Sequence, residues 1–119
     1  MKGYVGNIEK LSLENEYFRQ VLFTSNLSQL VVMALAPGED IGEEVHAEHD
    51  QFFRIESGEG KVILEGEEFA VSDGTGVVVP AGVRHNLINT SAEVMRLYTI
   101  YTPPEHKPGT VHKTKPNLS

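Results

Sequence analysis

The most informative stretch of this chain for chemistry is Gly74-x5-Pro80-x-Gly82-x2-His85-x3-Asn89. It ends an apolar run, Val77-Val78-Val79, at a proline, turns through a glycine and delivers a histidine at the start of the returning strand. Pro presets φ and Gly supplies positive φ without a steric cost, so the turn is built to aim one imidazole inward. Asn89 follows four residues later, on the same face by the two-residue period of a strand. There its amide can brace a neighbouring turn by hydrogen bonding.

This stretch resembles in full the second sequence motif of the cupins. The first cupin motif supplies two His on alternate positions, then a Glu, then a Gly seven residues beyond that Glu. Counting back from Gly58 puts Gln51 in the Glu position, His46 in the second His position and Glu44 in the first. The resemblance therefore implies a metal set of Glu44, His46, Gln51 and His85, with two departures from the family pattern. Glu44 and His46 are two apart, so on a strand both side chains leave one face and can converge on one ion. Two imidazoles and a carboxylate suit a divalent transition ion such as Fe, Mn, Ni, Co or Zn, and Gln51 adds a neutral amide oxygen. One ion per subunit is expected. His49 is the competing ligand: the family spacing favours Gln51, and a regular strand sends His49 to the opposite face from Glu44 and His46. The bland alternative, a packed His85 with solvent-facing Glu44 and Gln51, stays open at this level.

The elements that must position these residues read as strands. Short runs rich in Val, Ile, Leu, Phe and Tyr recur between turns marked by Gly and Pro. The candidates are Tyr17–Thr24, Gln29–Ala36, Val45–His49, Gln51–Glu56, Gly60–Leu64, Glu67–Val71, Gly76–Val79, His85–Asn89 and Val94–Tyr101. Leu64 to Glu68 looks like a tight hairpin. No run keeps a helical period long enough to predict a helix. The resemblance implies a double-stranded β-helix, an all-β jelly-roll barrel. Within a single domain, residues 1–28 form an N-terminal strand region, 29–102 the barrel and 103–119 an extended Pro-rich tail. Phe53 and Ile55 share a face with Gln51 and belong to the core; Phe52 and Arg54 face away. His106 and His112 are expected to be exposed tail residues, with capping of the barrel mouth or weak metal binding as the alternatives.

Composition narrows the function. The 119 residues suit one domain, and 39% hydrophobic with 23% charged residues is ordinary globular composition. Without cysteine there are no disulfides or thiolate ligands, so any metal sits on His, carboxylate or amide groups. A formal charge of −7 opposes binding to a phosphate backbone. No stretch is long and apolar enough to span a bilayer, and the N-terminus carries no apolar export signal, which places the protein in the cytoplasm.

The cupin resemblance implies a metal site without choosing a reaction, because dioxygenases, isomerases, epimerases and decarboxylases share it. The leading expectation is action on a small oxygen-rich molecule, whether carboxylate, sugar or enol, through the ion. The alternatives are a noncatalytic binding module or sensor and a metal-free remnant barrel. No general acid or base stands out. A homodimer is expected, since an open sheet edge at Tyr17–Thr24 would gain from being covered.

Overall fold

The computed structural model describes residues 2–116. One short helix, α1 (Ile8–Glu14), is followed by nine strands: β1 (Arg19–Thr24), β2 (Gln29–Leu35), β3 (Asp50–Ser57), β4 (Gly60–Leu64), β5 (Glu67–Val71), β6 (Gly76–Val79), β7 (His85–Asn89), β8 (Met95–Thr102) and β9 (Val111–His112). They form two antiparallel sheets, one ordered β6-β3-β8-β2-β1-β9 and the other β5-β4-β7. The expected all-β jelly roll is the observed architecture.

The core lies between the sheets and comes from alternate positions of each strand. Phe53 and Ile55 on β3, Leu87 on β7 and Leu97 on β8 are all essentially inaccessible to solvent. Phe52 and Arg54, one residue out of step, are half-buried on the outer face, as the period of two requires. β2 is buried at every position because it lies between β1 and β8 while α1 packs on it, on β3 and on β8.

Turn chemistry sets the registers. β4 and β5 pair with Leu64 opposite Glu67 across Glu65-Gly66, both at positive φ, 49° and 82°. That is a two-residue hairpin whose twist matches its strands, the one foreseen at this point. At Gly60 the demand is steric: a Cβ would sit 2.1 Å from the carbonyl oxygen of Ile88 on the paired β7.

Four expectations need correction. Ile8–Glu14 is helical within the region read as strand; Asn7 caps it, its side chain accepting from the amide of Lys10 at 3.0 Å. Seven residues are too short for a helical period to declare itself. Val45–His49 is not a strand: the chain makes one isolated bridge at Glu44 opposite His85 and then turns into β3. The edge at Tyr17–Thr24 is not fully open, since the chain's own tail pairs β9 with it, Arg19 opposite His112 and Gln20 opposite Val111. With the tail folded back in this way, His106 and His112 are half-buried against the barrel, not exposed.

Candidate metal centre

Three segments bring the site together. His85 opens β7 directly after the turn at Gly82, whose φ is +85°. Glu44 pairs with it backbone to backbone, each amide donating to the other's carbonyl at 2.9 Å. The Gly82 amide donates to the carbonyl of His46 at 2.8 Å, so the turn that aims His85 also anchors the backbone of His46. Gln51 enters from β3, opposite Tyr101 on β8 and Val79 on β6, with its side chain on the core face beside Phe53.

The result is one cluster. Glu44, His46 and His85 each offer a ligand atom, all within 4.8 Å of one another. Glu44 Oε2 lies 3.6 Å from His46 Nε2. Gln51 Oε1 lies 3.1 Å from His85 Nε2. His46, Gln51 and His85 are buried, at 9%, 2% and 1% exposure, while Glu44 opens toward solvent. All four residues singled out from sequence thus meet at one place. His49 does not join them: its Nδ1 donates to the carbonyl of Pro103 at 2.7 Å, and its Nε2 faces Glu105 at 3.0 Å.

Hydrogen bonds fix which atoms face inward. His85 Nδ1 is 2.9 Å from the carbonyl of Val83, which can only accept, so that nitrogen carries the proton and Nε2 presents a lone pair. On the other side the Thr99 hydroxyl donates to the carbonyl of Phe52 at 2.9 Å. Its oxygen therefore accepts from the Gln51 amide NH2 at 3.0 Å, which leaves Gln51 Oε1 pointing at His85. Two acceptor atoms then face each other across 3.1 Å in a buried setting, an arrangement that a cation beside both, or a second proton on the His85 ring, relieves.

His46 supplies an independent mark. Its Nε2 is buried and has no hydrogen-bond partner among the described residues. Two ligands each about 2.1 Å from one ion stand roughly 3.0 Å apart at a right angle and roughly 3.4 Å apart in a tetrahedron, close to the 3.1 and 3.6 Å found here. The donor set therefore fits a divalent transition ion, with one carboxylate leaving the centre net positive.

The tail closes over this site, the mouth-capping alternative to exposed tail histidines. Gln29 on β2 holds it by accepting from the amides of Glu105 and His106 at 3.2 and 2.9 Å and donating to the carbonyl of His106 at 2.7 Å. Glu105 Oε2 thereby comes 3.5 Å from His46 Nδ1 and 3.0 Å from His49 Nε2, a carboxylate behind a candidate ligand imidazole. Tyr101 meets the rings of both His46 and His106 edge-on, at 5.9 and 5.3 Å between centroids. Burial raises the Tyr101 hydroxyl's pKa, partly offset by the Arg19 guanidinium. His106 moves the other way, down to about 4, first through burial and then through Arg19 and the neighbouring imidazoles. Beside the cluster a cavity of about 350 Å³, walled in part by Phe18, Ile41 and His106, includes Glu44 in its lining.

Asn89 holds the far end of β7. Its amide donates to the carbonyls of Leu35 at 3.0 Å and Glu93 at 2.7 Å, and its oxygen accepts from the Ser91 amide at 3.0 Å. This bracing of adjacent turns is structural, and Asn89 lies outside the ligand cluster.

Known proteins resemble the chain throughout. The cupin domain pattern matches residues 31–101. The uncharacterised protein YrkC of Bacillus subtilis is 44% identical over 120 residues, covering 96% of this chain and 64% of its own length. This chain thus spans a little under two thirds of that relative. An uncharacterised protein of Acanthamoeba polyphaga mimivirus is 41% identical over 118 residues, covering 95% of this chain and 73% of the relative. The crystal structure of BH2720 from Bacillus halodurans superposes with a TM-score of 0.94 at 40% identity, covering 96% of this chain and 91% of that one. Pattern, relatives and fold agree: this chain belongs to the cupin family.

Proposed function

We propose that this cupin binds one divalent transition ion per subunit, Fe, Mn, Ni, Co or Zn, through Glu44, His46, Gln51 and His85, and acts through it on a small oxygen-rich molecule. The observation that carries this reading is the inward-facing acceptor set: the partnerless His46 Nε2 and the opposed lone pairs of His85 Nε2 and Gln51 Oε1. A bound ion supplies Lewis acidity toward a carbonyl, carboxylate or enolic oxygen. The protein's part is to orient the ligands from behind and to exclude water. Val83 and Thr99 hold His85 and Gln51, Glu105 stands behind His46, and the tail narrows the mouth. Dioxygenase, isomerase and decarboxylase chemistry all lie within this reading.

A noncatalytic binding module is the second reading, and one observation favours it. The ionisable groups beside the cluster are poorly matched to proton transfer at neutral pH, since His106 is pushed down to about 4 and Tyr101 is held protonated by burial. The homodimer remains part of the proposal on different ground from that first expected. β5 and β6 each form one edge of their sheet, and Phe69 and Val78 on them are exposed. Light scattering at micromolar concentration should give twice the chain mass; a monomeric mass contradicts it.

The test of the main reading is reconstitution. Metal-free protein titrated with Mn, Fe, Co, Ni and Zn should bind one equivalent of at least one ion with a rise in melting temperature, because a ligand of the folded state stabilises it. Assays of the loaded protein on enolic acids, sugar phosphates and 2-oxo acids then separate enzyme from binding module. Absence of stoichiometric binding by every ion refutes the reading.

A further inference from the structure

Among the described residues Arg19 is a buried cation without an anion. It lies on β1 opposite Met33 and His112 and is 8% exposed. The chain's other three arginines each pair with a glutamate: Arg54 with Glu56, Arg84 with Glu43 and Arg96 with Glu16. Among the described residues Arg19 has no carboxylate within ion-pair distance. One terminal nitrogen donates to His112 Nδ1 at 2.9 Å, and the guanidinium stands 5.0 Å from the centre of the Phe18 ring. Its Nε is buried with no hydrogen-bond partner among the described residues. A guanidinium does not deprotonate to escape burial, so an unpaired one costs stability unless something negative joins it.

The surroundings indicate where that anion would sit. Arg19 lines the cavity of about 350 Å³ beside the metal cluster, together with Phe18, Ile41, His106, His112 and the cluster's own Glu44. This volume is at the small end of the range for small-molecule sites. His106 Nε2, a nitrogen of a second lining residue, is also buried without a partner among the described residues. The acidic groups of the wall are already committed, Glu43 to Arg84 and Glu44 to the cluster. The cavity therefore combines an apolar wall, the Arg19 guanidinium with no carboxylate of its own, Lys115 already paired with Asp40, and in its lining the carboxylate of Glu44.

We propose that this cavity is the substrate pocket and that Arg19 is its specificity-determining residue, taking the oxyanion of a small organic acid with an apolar body. A carboxylate and a phosphate monoester share the recognising chemistry, charge-assisted hydrogen bonds to a guanidinium fork. The ligand's approach to the ion rests on the metal reading above; the contact with Arg19 does not.

Titration calorimetry on metal-loaded and metal-free protein, with benzoate, phenyl phosphate and the uncharged isostere benzamide as probes, tests this. Benzoate or phenyl phosphate should bind saturably to the unaltered protein and benzamide should not, a contrast that needs no variant to fold. The tighter of the two acids identifies the anion class. Arg19→Gln should weaken acid binding at least tenfold and Arg19→Lys less, with metal content unchanged in both. Benzamide binding as well as the acids, no saturable acid binding, or equal affinity in Arg19→Gln overturns the proposal. Loss of metal binding with Arg19-dependent acid binding intact would instead refute the metal reading and leave the anion site standing.

Discussion

Thr99 touches no proposed ligand atom, yet the geometry makes it decisive for one of them. Its hydroxyl donates to the Phe52 carbonyl and accepts the Gln51 amide NH2, and this alone dictates which end of Gln51 faces His85. Thr99→Val keeps the shape and removes the acceptor. The Gln51 NH2 is then left unsatisfied in a fully buried position, at a cost of about 1–3 kcal/mol. Rotating the amide relieves this, because NH2 can donate to the lone pair on His85 Nε2. An incoming ion must reverse that rotation, which lowers its affinity by about 1–2 kcal/mol, or roughly 5–30-fold. Competition against a chromophoric chelator measures this directly. The effect should vanish in a Gln51→Ala background, where there is no amide to orient. Unchanged affinity in Thr99→Val, or an equal loss in both backgrounds, refutes the orientation argument.

Four further outcomes follow from the same geometry. His46→Ala and His85→Ala should abolish metal binding at micromolar ion concentration while circular dichroism stays that of a folded barrel, and Gln51→Ala should retain weaker binding, since a neutral amide is a poorer ligand than an imidazole. Glu105→Ala should reduce metal affinity by about tenfold, as loss of an outer-shell carboxylate does, and hydrogen exchange should show faster exchange in the tail amides that Gln29 holds. Because His106 is depressed from 6.5 to about 4, the unfolded chain takes up its proton first. Stability of the metal-free protein should therefore fall as pH drops from about 6.5 toward 4, and His106→Asn should flatten that part of a urea-denaturation series. Gly60→Ala, which forces a Cβ against the Ile88 carbonyl, should lower unfolding stability by about 3 kcal/mol, whereas Ala at a surface glycine with space should cost less.

The site was more legible in the sequence than the route by which it is built. The run from Gly74 to Asn89 announced its turn and its inward histidine because Gly and Pro have few physical uses. Glu44, His46 and Gln51 could be found only by counting from Gly58 against a known pattern; the alternation set against His49 tells equally against Gln51, which is also an odd number of residues from Glu44 and His46. The structure separates them through Pro103 and Glu105, residues more than fifty positions away that turn His49 toward the tail. Such long-range contacts leave no local periodicity to read. The same limit hid the tail: β9 is two residues long, and it pairs because Gln29 and Asp40 hold the chain on either side of it, through His106 and Lys115. Helix α1 was missed for a local reason. Asn7 as a cap with Ile8 and Leu11 three apart was available as a signal, but about two turns of helix are weak against neighbouring strand patterns. Arg19 was passed over because a lone arginine in a strand carries no pattern; only its burial without a carboxylate marks it.

The central claim is that four named atoms hold one ion, and anomalous diffraction from crystals of the reconstituted protein tests it most directly. The account predicts a single strong peak per chain at the metal's absorption edge, within about 2.0–2.3 Å of Glu44, His46 Nε2, Gln51 Oε1 and His85 Nε2. A peak ligated instead by His49 and Glu105, or no peak in this cluster under saturating ion, would contradict it.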